Sequence, residues 1–282
     1  MRLFLLTSFT MIAFAANSLL TRLAVDGAFI DPNSFAIIRV LAGAVTLGII
    51  MSARRSQMSL FHRSRAIGAI SLAIYMAGFS LAYLTLDAGL GALILFGVVQ
   101  MSMFGHATIT GARPTLRQIF GASLAFVGLG LALWPGPGGQ ADLPGAAFMT
   151  IAGLGWAAYT ISGRAEVDPL AATTANFILC LPIVSVVLLA FTVNTTLTGW
   201  ALAVLCGGVT SGLGYALWYS VLPRLPQNLA PIVQLSVPII ALVAGAVLLG
   251  ETLSLIVVLA AALVVCGIAL AITSRSLRTH RR

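Results

Sequence analysis

The sequence predicts an all-α integral membrane protein with ten transmembrane helices, arranged as two inverted five-helix repeats around a central cavity. Three observations lead there. Hydrophobic residues make up 60% of the 282 positions and charged ones only 8%, with a mean hydropathy of +1.06, whereas about a quarter of a soluble domain is charged. The apolar residues fall into ten blocks of roughly 20 residues, the length that crosses a bilayer as a helix. Arginines gather between every second pair of blocks, which is how a multi-span chain fixes its orientation.

The blocks lie near 3–24, 33–52, 66–86, 89–110 and 116–134, then 146–163, 170–193, 199–222, 228–249 and 253–273. They are continuous rather than alternating, so helices and not a β-barrel satisfy their backbone groups in lipid. The first block follows Arg2 and contains an Ala-x-Ala pattern of the kind that ends a cleaved leader. It runs on to Ala24 and has an internal relative, so it reads as the first span. The only linker is the Pro/Gly segment 135–145, which separates a first repeat, 1–134, from a second, 146–282, that ends in a basic tail.

All 15 basic residues are arginine, and the formal charge is +8. In a soluble chain that excess would suggest nucleic acid. Here Arg54, Arg55, Arg63, Arg65, Arg113, Arg117, Arg164 and Arg224 sit in alternate loops, with Arg2 at one terminus and Arg275, Arg278, Arg281 and Arg282 in the tail. Their expected partner is the anionic lipid surface, no nucleic acid is expected, and both termini are expected in the cytoplasm. Cys180, Cys206 and Cys266 lie inside apolar blocks without metal or disulfide spacing, so neither a metal nor a cofactor is expected.

Five spans per half is an odd number, so the second half must enter the membrane from the opposite side. Internal likenesses occur in the same order in both halves. Phe14-Ala-Ala-Asn17 resembles Trp156-Ala-Ala-Tyr159, Asp31-Pro32 resembles Asp168-Pro169, and Gly78-Phe79 with Tyr83 resembles Gly214-Tyr215 with Tyr219. A shift of 139 positions lays Gly111 on Gly250 and Gly128 on Gly267.

Asn17 and Arg22, Arg39, the stretch from Gly111 to Gly128, and Leu249-Gly250-Glu251 leading to Gly267 together resemble the drug/metabolite transporter superfamily, in its ten-helix EamA type. The resemblance covers nearly the whole chain. It implies an exporter of amino acids, other metabolites or cationic drugs in a bacterial inner membrane, with a narrower likeness to the aromatic amino-acid exporters. Two departures stand out: Ala112 occupies the place of the family's first-half glutamate, and Val99-Gln100 replaces a proline whose second-half equivalent, Pro238, is present.

Polar groups are costly inside a bilayer and mark sites of function or pairing. Tyr75, Phe79 and Tyr83 at four-residue spacing line one face of the third span, Tyr215 and Tyr219 repeat the pattern on the eighth, and Trp156 and Tyr159 share a face of the sixth. Together with Asn17, Gln100 and Gln234 they are the candidate substrate-binding residues, and flat or amphipathic small molecules suit such walls. The same spacing also serves helix packing or a headgroup belt. Arg39 has two readings, substrate contact or an anchor to backbone carbonyls and the outer surface. Pro231 and Pro238 are candidate hinges in the ninth span. Gly121, Ala125 and Gly128, with Ala260, Val264 and Gly267, give spans five and ten small-residue faces that suit scaffold packing or a homodimer.

The seven acids, Asp26, Asp31, Asp87, Asp142, Glu166, Asp168 and Glu251, all fall in loops or at block ends. With no carboxylate mid-span, the expectation is facilitated export of small metabolites, amino acids with an aromatic preference first, by alternating access. Proton-coupled export of cationic drugs or other metabolites is the alternative. A channel would need a ring of like polar groups. An enzyme would need an HExxH, GxSxG or paired-carboxylate site, and none occurs.

Overall fold

The computed structural model describes residues 1–55, 58–60, 62–111, 114–132, 142–163, 166–188, 194–225 and 233–273. Those residues form ten helices: α1 (Arg2–Asp26), α2 (Pro32–Arg54), α3 (Arg63–Ala82), α4 (Ala88–Ile109), α5 (Leu116–Ala132), α6 (Leu143–Gly163), α7 (Pro169–Leu188), α8 (Leu197–Arg224), α9 (Ser236–Leu249) and α10 (Leu255–Thr273). Six of them, α1 to α4, α7 and α8, are long and apolar enough to cross a membrane by themselves. In α6 three glycines lie directly against α3, α4 and the turn between them, while Leu143, Ile151 and Leu154 of the same helix are exposed. The first turn of α6 includes Leu143, Pro144 and Gly145, which the sequence reading assigns to the linker. Asp142 starts that helix by accepting the Gly145 N–H at 3.1 Å.

The internal sequence matches correspond to repeated local structure. Asp31 caps α2 by accepting from the Asn33 and Ser34 N–H groups at 3.1 and 2.9 Å, and Asp168 caps α7 by accepting from Leu170 and Ala171 at 3.1 Å each. A proline follows in both cases, at the first helical position, where its missing N–H costs nothing. Gly111 and Gly250 end α4 and α9 with φ of 102° and 70°, a region where a side chain is strained and glycine is not.

Helix packing repeats too. Exchanging each helix αn with αn+5 turns the α3–α6 contact into α8–α1, α3–α7 into α8–α2, and α4–α6 into α9–α1, while α2–α7, α4–α9 and α5–α10 map onto themselves, and all of these contacts occur. This is the pattern of a two-fold relation between halves. The small-residue faces of α5 and α10 close on each other within one chain: a Cβ on Gly121 would stand 2.5 Å from the Gly267 carbonyl oxygen. A dimer through these spans would therefore have to use their other faces, where Phe120, Phe126 and Leu259 are exposed.

The connections separate into two ends. At the acidic end Asp31 and Asn194 join the α1–α2 and α7–α8 loops, with the Asp31 N–H donating to the Asn194 carbonyl at 2.8 Å and the Asn194 N–H to Asp31 Oδ2 at 3.0 Å. Arg22 meets Asp26 at 3.0 Å and Asp87 at 3.4 Å beside Glu251 in the α9–α10 turn. At the arginine end Glu166 in the α6–α7 loop accepts from Ser64 and from Arg65, each at 2.8 Å. The Arg22–Asp26 pair lies within α1, and the other bonds join helix ends and loops that the alternating topology puts on the same side.

Candidate functional site

Midway along the bundle, α1, α2, α3 and α8 surround a guanidinium. Arg39 lies seven residues beyond Pro32, about 10 Å into α2 at 1.5 Å per residue, and its side chain is fully buried. Its Nε donates to Ser211 Oγ at 3.1 Å, and its Nη2 donates to both Asn17 Oδ1 and Tyr75 OH at 3.1 Å. Nη1 has no hydrogen-bond partner. Among the described residues no carboxylate lies within ion-pair distance of Arg39, because the four ion pairs all sit at the two ends of the bundle. A charge buried without a counter-ion costs several kcal/mol, so this group is maintained against stability.

What holds it is a polar net gathered on Asn17. That carboxamide oxygen also accepts from Thr210 Oγ1 at 2.7 Å, Ser211 Oγ at 3.0 Å and Cys206 Sγ at 3.3 Å. The three donors belong to one stretch of α8, Cys206–Leu213, wound as a π-helix. The wider turn is rare and concentrates at functional sites. Gly207 in this stretch lets α8 touch α2 directly, since a Cβ there would overlap the Arg39 carbonyl oxygen.

Aromatic rings form the rest of the wall. The guanidinium carbon lies 4.8 Å from the Phe79 ring centre and 5.5 Å from that of Tyr75, within range for a cation–π attraction. Tyr75 contacts Phe79 at 5.3 Å and Trp156 at 5.0 Å, and Trp156 reaches Tyr159 and Tyr215 at 5.3 Å each. Phe79 meets Tyr83 at 4.9 Å. Beyond Trp156, Tyr159 OH donates to Thr173 Oγ1 at 2.9 Å, and Asn176 and Tyr219 bear on the same hydroxyl.

Asn17, Tyr75, Phe79, Tyr83, Trp156, Tyr159, Tyr215 and Tyr219 are thus brought into one connected group. Tyr75, Phe79, Tyr83, Tyr159 and Tyr215 are each at most 5% exposed, so in this structure the rings close on one another in the volume where a cavity is expected. Gln100 and Gln234 are half-buried, and among the described residues neither hydrogen-bonds into the group. Pro231 lies outside the described residues. Pro238 is buried in the first turn of α9, where the helical path is interrupted at Leu235. Its missing N–H is the one that would bond the Gln234 carbonyl.

Sequence reasoning left Arg39 undecided and passed over Cys206, Thr210, Ser211 and Thr173. The available signals were an arginine inside an apolar block and three glycines within Gly207–Gly212. The Asn17–Arg39–Ser211 net joins α1 and α2 to α8, 172 positions beyond Arg39, which no local pattern reveals.

A family model, the EamA-like transporter family, matches residues 143–273, the run from the first residue of α6 to the last of α10. The chain belongs to the EamA-like transporter family. This EamA-like transporter is 42% identical to an uncharacterized protein of Pseudomonas aeruginosa over 99% of its own length and 98% of that protein's. It is 23% identical to an uncharacterized transporter of Archaeoglobus fulgidus over 88% of its length and 91% of the relative's. One solved crystal structure superposes with a TM-score of 0.63 at 19% identity, covering 94% of this chain and 97% of the other, a likeness of fold. A multi-pass small-molecule transporter is what the family and the apolar helices together establish.

Proposed function

We propose that this EamA-like transporter exports small amphipathic carboxylates, aromatic amino acids first among them, by alternating access across a bacterial inner membrane with both termini in the cytoplasm. The observation that carries the reading is the buried Arg39 guanidinium, with Nη1 unpaired and rings on its flanks. A carboxylate would supply the missing counter-ion with charge-assisted hydrogen bonds, and the rings would take a flat side chain. A cationic drug would have to approach that same uncompensated positive charge at low dielectric. The geometry therefore speaks against cation export.

The two five-helix units, the first spanning α1 to α5 and the second α6 to α10, are the proposed moving parts. The Asp31–Asn194 and Glu166–Arg65 contacts tie the units at opposite ends and would have to part in turn. With the acids at the ends, no carboxylate among the described residues lies mid-span to relay protons, and flux follows the substrate gradient. The test is counterflow in proteoliposomes with the twenty amino acids and several organic cations. Trans-stimulated exchange of phenylalanine, tyrosine or tryptophan supports the reading. Exchange confined to cations, or flux without trans-stimulation, overturns it.

A further inference from the structure

Asn17 stands where the charge of Arg39 would be neutralised if the side chain were acidic. Its Oδ1 lies 3.1 Å from Arg39 Nη2, a distance at which a carboxylate would form a hydrogen-bonded ion pair. Four donors converge on that one oxygen: the guanidinium, Thr210 Oγ1, Ser211 Oγ and Cys206 Sγ. An amide oxygen offers two lone pairs, whereas a carboxylate offers about four acceptor sites. An acid would therefore satisfy this donor set better than the amide does. The amide nitrogen gains in exchange one bond within α1, to the Ala13 carbonyl at 3.3 Å.

The second half shows that the fold needs no charge at this place. Arg39 follows Pro32 by seven residues, and Asn176 follows Pro169 by seven. Asn17 corresponds to Tyr159 in the match between Phe14-Ala-Ala-Asn17 and Trp156-Ala-Ala-Tyr159. The second-half pair is neutral on both sides: Asn176 bears on the Tyr159 hydroxyl, which donates to Thr173 Oγ1 at 2.9 Å, and Asn176 is buried as Arg39 is. The first half keeps one charge where the second keeps none, and sets a neutral partner beside it. A buried cation left in this way costs several kcal/mol. An anion from outside recovers that cost, but an acid at position 17 would recover it first, at an effective concentration that a dilute solute does not match.

We infer that Asn17 sets the preference of the site for anions: it positions the Arg39 guanidinium without neutralising it, so that the counter-ion has to come from the substrate. This rests on the carboxylate reading above and names the residue that keeps the site open to a carboxylate. The experiment compares Asn17→Asp with Asn17→Ser, which stays neutral and keeps an oxygen acceptor, in phenylalanine counterflow and in melting temperature without substrate. A hydrogen bond to a charged group is worth about tenfold or more. Asn17→Asp should melt no lower than the wild type and carry less phenylalanine than Asn17→Ser by about that factor. A purely structural role predicts the opposite order, because Asn17→Asp keeps an acceptor for all four donors and the shorter side chain of Asn17→Ser does not. Should Asn17→Asp fail to fold, Ser211→Asp brings the acid to Nε, where Ser211 Oγ stands at 3.1 Å, and should lower flux below that of Ser211→Ala by the same factor. Flux in folded Asn17→Asp within a few-fold of that in Asn17→Ser, or above it, overturns the assignment, as does a loss of flux accompanied by a lower melting temperature. Either result leaves the carboxylate reading standing if the wild type exchanges phenylalanine. A wild type that exchanges no carboxylate overturns both.

Discussion

Glu251 Oε1 accepts the backbone N–H of Ala88 at 2.6 Å from the opposite half of the chain. The α9–α10 turn thereby caps the first turn of α4, where the helix dipole favours a negative charge. Oε2 meets the next N–H, that of Gly89, at 3.4 Å. Arg22 stands beside this cap with Asp26 and Asp87 and also donates to the Tyr83 carbonyl at 3.3 Å. In the first half the 139-position shift puts Ala112, which lies outside the described residues, at the place of Glu251.

Burial raises the Glu251 carboxyl above its ordinary 4.5, and Asp87 adds to this, against the Ala88 and Gly89 N–H groups and Arg22. Asp87 is raised as well, by burial and by Asp26, against Arg22. A raised carboxyl binds protons in the folded state before it does in the unfolded one. Its contribution to stability is therefore full below the ordinary value and lost as pH rises through the folded value. Mild acid should neutralise both groups, loosen Arg22 and leave the fold no less stable. The check is to label Ser18→Cys from the acidic end at neutral pH, where the thiolate reacts, with and without Asp87→Asn and Glu251→Gln as neutral mimics, while following the melting temperature from neutral pH toward pH 4.5. Labelling should rise and the melting temperature should not fall, and a fall with unchanged labelling would count against the cluster as a latch.

Glu166 should respond in the opposite sense. Burial pushes its carboxyl up, but the Ser64 hydroxyl and Arg65 outweigh that and hold it below the ordinary range. Its contribution is present above the ordinary 4.5 and lost as pH falls through the lowered value. Glu166→Gln should therefore cost about 1 kcal/mol or less at neutral pH, as for a partly exposed ion pair, and should remove the acid-dependent part of the loss. Melting curves of the variant and wild type at neutral pH and well below 4.5 decide it.

Replacing Arg39 should separate stability from transport. Arg39→Met removes a buried charge that has no counter-ion, relieving a desolvation cost of several kcal/mol that is offset in part by the loss of the hydrogen bond to Tyr75. Asn17 keeps its bonds from Thr210 and Ser211. The variant should melt at or above the wild-type temperature and lose carboxylate counterflow. A folded variant with wild-type flux would show the guanidinium to be structural.

Close approach of α2 and α8 predicts the effect of Gly207→Ala. A methyl group there overlaps the Arg39 carbonyl oxygen, a backbone atom that cannot rotate away. The expected cost is about 1 to 3 kcal/mol, typical of overpacking. Gly214→Ala would meet its nearest neighbour, Ala13 Cβ, at 3.4 Å and serves as the tolerated control in the same helix.

The sidedness of the ends is open to labelling. After replacement of Cys180, Cys206 and Cys266, a cysteine at exposed Thr195 should react with a membrane-impermeant maleimide from the periplasm, and one at exposed Ser59 only after the membrane is opened. The reverse pattern would turn the molecule over.

Composition and block length alone fixed the class, the number of spans and the alternation of their connections, because lipid imposes these on every segment one at a time. The Asp-Pro pairs and the glycines at 111 and 250 were legible for the same reason: each specifies a local backbone geometry, a capped helix start or a left-handed turn. Aromatic spacing likewise gave the faces of α3, α6 and α8. What the sequence could not give was the meaning of Arg39. Its neighbours in the chain are apolar, and whether it anchors a surface or waits for an anion depends on what α1, α3 and α8 bring to it. Only the tertiary structure decided that Asn17, Tyr75 and Ser211 occupy two of its nitrogens with three bonds and leave Nη1 free. It also decided that the glutamines at 100 and 234 stand apart from the rings, because depth and azimuth in a bundle come from packing between helices and not from position along any one of them.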